Sequence, residues 1–260
     1  MEPLTLIKIN SQGALVESWQ FFLTGQGFYD GPVDGNFTGE VKDATIEFQK
    51  KNDLQPDGIV GNKTFGVAMH LGFEGIKDDS VDKSGANFPT PPPFPPLVTN
   101  EQRTPIFGKF TFVAAPIPGN KENIRITDNW ESQNIKIVSI PQLTHVKGSD
   151  KVQFHKLAAN QLTKLWKDWE EAGLLPLVLS WGGSFVPRFV RGSATTLSNH
   201  SFGTAFDINM DFNKRGALPA LVSQKGCVRE LVQIANNNAF FWGGHFKNKD
   251  GMHFEIAKIL

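Results

Sequence analysis

Cysteine is nearly absent from this chain of 260 residues: Cys227 stands alone. No intramolecular disulfide can brace the fold, which therefore does not depend on an oxidising compartment. As a nucleophile the thiol is poorly placed. Gly226-Cys-Val-Arg-Glu230 opens an amphipathic stretch, where a small buried hydrophobe is the expected role. An excess of either charge is missing too. Lys plus Arg and Asp plus Glu number 26 each, so no global field recruits nucleic acid or an anionic membrane surface. Long apolar runs are also lacking, and none approaches the roughly 20 residues of a membrane helix. The first residues, Met1-Glu-Pro-Leu-Thr-Leu-Ile-Lys-Ile9, carry no basic region followed by an apolar one. The expectation is a chain made in the cytoplasm without a visible signal peptide, not inserted in a membrane. A substrate outside the cytoplasm then requires another route of delivery.

Three regions are legible. Residues 1–75 form a small module, residues 76–103 a polar and proline-rich linker, and residues 104–260 the larger domain. Phe88-Pro-Thr-Pro-Pro-Pro-Phe-Pro-Pro96 reads as a semi-rigid spacer of about 3.1 Å per residue when extended. A ligand for a proline-binding domain is the alternative, but two folded flanks make a spacer the simpler need. The preceding polar residues, from Lys77 to Gly85, are expected to be mobile.

In the first region Leu15, Trp19, Phe22 and Leu23 recur at helical spacing, as do Val41, Ala44, Thr45 and Phe48 after Thr38-Gly39. A third helix is expected after Asn62 as N-cap, carrying Phe65, Ala68 and Met69. The connecting turns repeat: Asp30-Gly-Pro-Val-Asp-Gly35 and Asp57-Gly-Ile-Val-Gly61 each supply Asp-Gly for a turn and one Val for a core. The expectation is a three-helix bundle.

In the larger region, residues 107–143 read as extended, with Phe110-Thr-Phe-Val113, Ile124-Arg-Ile126 and Ile135-Lys-Ile-Val138 forming a small β-meander. Residues 152–172 read as one helix stopped by Gly173. Leu177-Val-Leu179 reads as a short buried strand that delivers a flexible loop, Ser180-Trp-Gly-Gly183, toward Arg188 and Arg191. The whole is an α+β fold: a small antiparallel-sheet domain with flanking helices, preceded by an all-α module.

The densest chemistry lies in Ser198-Asn-His200-Ser-Phe-Gly203-Thr-Ala-Phe-Asp207 and Asp250-Gly-Met-His253-Phe-Glu255. Two imidazoles and a carboxylate make a three-ligand zinc site with an open position, and Asp250 is a carboxylate left over for proton transfer. Alternation along residues 205–210 puts Asp207 and Asn209 on one face and Phe206, Ile208 and Met210 on the other. Residues 252–256 alternate likewise, so His253 and Glu255 face together. Two such strands side by side bring Asp207 and His253 together, with His200 entering from the preceding loop and Gly203 allowing its turn. A carboxylate between Phe206 and Ile208 is costly unless paired or metal-bound. His70, His145 and His155 are expected to be ordinary core or surface residues.

Two resemblances follow. Gly27-Phe-Tyr-Asp-Gly-Pro-Val-Asp-Gly-Asn-Phe-Thr-Gly39, Phe48-Gln49 and Asp57-Gly-Ile-Val-Gly-Asn-Lys-Thr64 resemble the bacterial three-helix peptidoglycan-binding domain over about residues 10–72. Ser198 through Asp207, Trp242-Gly243-Gly244 and Asp250 through Glu255 resemble the VanY-like D-Ala-D-Ala carboxypeptidases and L-Ala-D-Glu endopeptidases. That resemblance implies one zinc held by His200, Asp207 and His253, with Asp250 as general base. It also implies an arginine stabilising the oxyanion, for which Arg188 is preferred to Arg191. Glu255 is a candidate for orienting His253, or a salt bridge at the strand end. His245 departs from the family's frequent Trp-Gly-Gly-Asp; it is a candidate to line the cleft and donate to a bound carboxylate or transition state, the alternatives being a surface residue or a competing metal ligand.

The expected function is zinc-dependent hydrolysis of peptidoglycan stem peptides as an L-Ala-D-Glu-type endopeptidase, an endolysin or an injected lytic effector acting on the cell wall. A D-Ala-D-Ala carboxypeptidase and a non-catalytic wall-binding protein are the alternatives. Peptidoglycan is the expected partner, joined by a delivery system or immunity protein in the effector case, and the chain is expected to be a monomer.

Overall fold

Trp19 organises the first of two hydrophobic cores in the computed structural model, which describes residues 5–75 and 85–260. The polar residues expected to be mobile lie, Gly85 excepted, outside the described residues. Three helices, α1 (Ala14–Gln26), α2 (Gly39–Lys51) and α3 (Asn62–His70), surround the indole. Phe22 stacks on it at 5.5 Å between ring centroids, and the edges of Phe48, Phe65 and Phe73 meet it at 5.4–6.0 Å. Its Nε1–H donates to Thr45 Oγ1 at 3.0 Å, so the buried ring has no orphan donor. Asn62 is the first helical residue, one place later than an N-cap, and Gly61 caps without a side chain.

The repeated turns are closed by a repeated device. Gln20 donates to Asp34 Oδ1 and the Asn36 carbonyl, and accepts from the Asp34 and Gly35 amides. Gln49 donates to Asp57 Oδ1 and the Ile59 carbonyl, and accepts from the Gly58 amide. Each glutamine pins the Asp-Gly turn that follows its own helix. A fully buried amide is tolerated because its bonding capacity is filled.

The proline-rich run is not a free spacer. Arg229 donates to the Asn87 carbonyl, Asn236 donates to the Thr90 carbonyl at 3.0 Å, and Lys258 lies over the Phe94 ring. Leu97 already belongs to the second core. Helix α4 (Asn100–Phe107) follows, started by a capping box between Thr99 and Gln102. Its buried Arg103 reaches toward residues 197–199.

Two separate hairpins replace the expected meander. Strands β1 (Phe112–Ala114) and β2 (Ile124–Ile126) form the first. After α5 (Trp130–Asn134), β3 (Ile135–Ser139) pairs across α6 (Thr144–Lys147) with β4 (Lys151–His155). The helix expected from residue 152 therefore starts only at α7 (Ala159–Glu171). Val152 and Phe154 are buried while Lys151 and Gln153 are exposed, the period of a strand. The Leu177-Val-Leu179 strand is also corrected. Residues 175–177 make a 3-10 turn, and Leu179 is exposed.

A four-stranded antiparallel sheet carries the metal-site motifs. Its strands are β5 (Trp181–Gly183), β6 (Ala205–Ile208) and, after α8 (Val232–Asn237), β7 (Phe240–Trp242) and β8 (His253–Ile256), in the order β5-β6-β8-β7. The expected flexible loop at Ser180–Gly183 is thus largely the edge strand β5. One sheet face is apolar: Phe206 stacks on Phe254 and Trp181 and is covered by Trp166 and Trp169 of α7. Burying side chains of this size stabilises by roughly 1.5–3 kcal/mol each. That layer fixes the sheet whose opposite face holds the polar residues.

Candidate metal centre

The register of β6 against β8 pairs Asp207 with His253 directly, as the alternation of both segments predicts. His200 sits in a 3-10 turn, Asn199–Phe202, closed by Gly203 in the left-handed region at φ 63°. A Cβ at Gly203 would lie 2.7 Å from Ile135 Cδ1 and 3.2 Å from the His155 amide nitrogen, so the turn packs tightly against the β3–β4 hairpin. Asn209 does not share the face of Asp207. The strand ends at Ile208, and Asn209 turns to φ 53°. Its side chain is spent on the Leu177 and Gly226 carbonyls and the Leu179 amide, and Met210 swings to the surface.

Three ligand atoms converge. His200 Nε2 lies 3.2 Å from Asp207 Oδ1 and 3.2 Å from His253 Nδ1, and His253 Nδ1 lies 3.0 Å from Asp207 Oδ1. The outer nitrogens are engaged elsewhere. His200 Nδ1 faces the Ser184 carbonyl at 2.9 Å, and His253 Nε2 faces Glu255 Oε2 at 3.0 Å. Each outer nitrogen must carry a proton to satisfy its acceptor, so in the neutral rings both inner nitrogens present lone pairs, alongside a carboxylate oxygen. Such a cluster needs a cation. A tetrahedral zinc with bonds of about 2.0–2.1 Å spaces its ligands about 3.3 Å apart, close to the observed triangle. The residues fit the metal that the motifs imply.

The electrostatics agree. Burial opposes charge on His253, but hydrogen bonds and charge from Asp207 and Glu255 outweigh it and push the imidazole up to about 10. Burial likewise opposes charge on Asp207, yet His200 and then His253 hold its carboxyl well below the ordinary range.

A further shell was invisible in the sequence. Glu255 also accepts from Asn199 Nδ2, and Asn199 Oδ1 accepts from Arg103 Nε at 2.9 Å. Arg103, almost a hundred residues away in the chain, thus steadies the carboxylate that orients His253. Asn199 lies inside the first motif and was open to inspection. No local signal pointed to Arg103.

Beside the cluster lies a cavity of about 510 Å³. Asp250 lines it with its carboxyl raised by burial and by the charge of Asp207, although His253, Arg215 and Arg188 oppose the shift. Its Oδ1 is buried without a partner. His245 also lines the cavity, held neutral by burial that lowers it to about 4, with Nε2 likewise partnerless. Arg188 is there too, donating to the Phe189 carbonyl at 3.2 Å. Arg191 reaches the same wall, but its guanidinium is engaged by Glu122 at 2.8 Å. The two arginines differ in engagement: Arg191 is paired with a carboxylate, whereas Arg188 donates to a backbone carbonyl. Cys227 is buried, its thiol pushed up by burial, in keeping with a structural role. Buried His155 bonds the Phe107 carbonyl at 3.3 Å and stays outside the site.

Residues 191–256 match the family model described as D-alanyl-D-alanine carboxypeptidase. That match lies in the C-terminal part of the second domain. Residues 12–67 match a peptidoglycan binding domain, which identifies the first module. Among solved structures, the crystal structure of the SleB N-terminal domain is 32% identical, covering 27% of this chain and 97% of that one, with a TM-score of 0.26. A comparison with curated proteins found no match. The peptidase match ends on the last residue of β8 and includes Asp207, Asp250 and both histidines of the cluster.

Proposed function

We propose that this peptidase is zinc-dependent and hydrolyses the stem peptides of peptidoglycan as an L-Ala-D-Glu-type endopeptidase. The observation that carries the reading is the convergence of three lone pairs, from His200, Asp207 and His253, beside the partnerless Oδ1 of Asp250. When bound, zinc supplies a Lewis acid and brings the pKa of a water near 7. Asp250 accepts the proton of the attacking water at Oδ1 and passes it to the leaving amine. Its burial and raised carboxyl suit a group that must both take and return a proton. Arg188 faces the carbonyl oxygen as charge develops there, and a donor of this kind contributes about 3–4 kcal/mol. His245, neutral and buried, offers Nε2 to the bound peptide. Glu255 and Ser184 hold the two imidazoles in the tautomers that a cation requires.

The binding module supports peptidoglycan as the polymer and raises local substrate concentration. Among the described residues no helix is long and apolar enough to cross a membrane. Lysis, as an endolysin or an injected effector, is the biological setting we carry forward. The carboxypeptidase reading is favoured by the description of the matched family. Mass spectrometry of defined muropeptides after incubation with zinc-loaded protein decides between them. Cleavage between L-Ala and D-Glu, releasing a stem peptide that begins with D-Glu and leaving L-Ala on the sugar, supports the endopeptidase. Loss of only the terminal D-Ala supports the carboxypeptidase, and intact muropeptides overturn both.

A further inference from the structure

The two domains meet at a wedge. Residues 214–218, which follow the metal-site strand β6, cross helix α1 and end against the turn after α3. Ala217 belongs to the hydrophobic core of the first module, and the Leu218 amide donates to the Gly72 carbonyl at 2.6 Å. Glycines permit the crossing. A Cβ at Gly25 would lie 1.5 Å from the Arg215 carbonyl oxygen, and one at Gly216 would lie 2.7 Å from the Phe21 carbonyl oxygen. Neither backbone could approach so closely with a side chain present. Phe21 is buried yet belongs to neither core. It covers the wedge, with the Arg215 guanidinium 4.3 Å above its ring.

Arg215 thereby reaches the catalytic cavity, whose wall it shares with Phe21, Arg188 and Asp250. Its nearest carboxylate oxygen is that of Asp250, at 3.8 Å, too far for a direct hydrogen bond. Arg188 and Arg215 therefore face the cavity beside Asp250, while Arg191 is already paired with Glu122 and the cavity's other carboxylate, Glu255, is engaged by His253 and Asn199. With Glu255 so engaged, two guanidinium groups face one open carboxylate, and a substrate carboxylate would add negative charge there, held bidentately.

We propose that the N-terminal module is a working part of the catalytic cleft: through Phe21 and the 214–218 wedge it positions Arg215 to grip a carboxylate of the stem peptide beside Asp250. For the reaction this rests on the peptidase reading above, and for binding it does not. It goes beyond a tether, which only concentrates enzyme on the polymer and has no effect on a small soluble peptide.

The test uses full-length protein and a glycan-free stem peptide with free carboxylates, beside the same peptide with its carboxylates amidated. KM is read from hydrolysis, and Kd from calorimetry on zinc-loaded protein. Arg215→Ala is expected to weaken the free-carboxylate peptide about 10- to 100-fold and the amidated one only a few-fold. Arg215→Lys recovers part of the difference. Phe21→Ala is expected to weaken the free-carboxylate peptide about 3- to 10-fold, and Phe21→Trp, which keeps a ring under the cation, restores it. Equal losses on both peptides with Arg215→Ala overturn the grip. Phe21→Ala that reduces only attachment to whole sacculi overturns the part given to the module. If the wild type binds the peptide but never cuts it, the peptidase reading fails, and the calorimetric contrast still decides Arg215.

Discussion

Gln49 in the first module and Asp250 in the second domain both place polar atoms out of water, and are treated in opposite ways. Gln49 bonds to Asp57, Gly58 and Ile59, all within ten residues of it, and Gln20 repeats the arrangement one helix earlier. Asp250 keeps a buried oxygen with no partner, beside His245 Nε2 and Glu255 Oε1 in the same state. Among the described residues, the buried side-chain atoms left without partners all lie in the second domain, and these three line one cavity. In the module, satisfied polarity fixes the turns with the chain's own side chains. Unsatisfied polarity, costly in a fold that needs nothing from it, marks where a ligand is to complete the structure. The two buried aspartates of the site sharpen the point. Asp207 is drawn below its ordinary range by the imidazoles, whereas burial and the charge of Asp207 raise Asp250. On the proposed reading, one stays charged and holds a cation, and the other exchanges a proton.

The contrast can be broken in three graded ways. The largest effect is expected in acid. Burial holds His155 at about 4, below its ordinary 6.5, so its contribution to stability is complete above pH 6.5 and is lost as pH falls through 6.5 toward 4. The second domain should lose on the order of 3 kcal/mol over that window. Denaturant unfolding followed at several pH values checks this, and His155→Gln should remove its share of the dependence, leaving that of His245, which burial also lowers to about 4. Next, Gln49→Ala leaves the Gly58 amide and the Asp57 turn unsatisfied and should cost about 1–3 kcal/mol in the module's unfolding. Zinc content should not change, which separates the two regions. The smallest effect on the fold comes from Glu255→Gln. Removing the carboxylate that orients His253 should weaken zinc about 10- to 100-fold in a chelator competition, with the unfolding midpoint of the module unmoved.

Legibility followed the range of the interactions. The module's helices and turns were readable because their partners lie close in sequence. The ligand set was readable because three ligands and Asp250 fall in two short motifs whose alternation already faces Asp207 toward His253. Strand β4 was not, because Phe154 sits at strand spacing from Val152 and at helical spacing from Ala158, and only pairing with β3 decides between them. Arg103 and Arg215 were out of reach for a related reason. One arrives from a helix before the domain's first hairpin, the other from a wedge whose path is set by the module it enters. The proline-rich run looked like a spacer because prolines extend a chain. Its docking depends on Arg229, Asn236 and Lys258, which no pattern near residue 90 announces.

The most direct test of the division of labour between the two aspartates measures zinc content and muropeptide hydrolysis together in the wild type, Asp207→Ala and Asp250→Ala. One zinc and cleavage are expected in the wild type, neither in Asp207→Ala, and one zinc without cleavage in Asp250→Ala. Hydrolysis that survives in Asp250→Ala, or a full zinc complement in Asp207→Ala, would contradict the account.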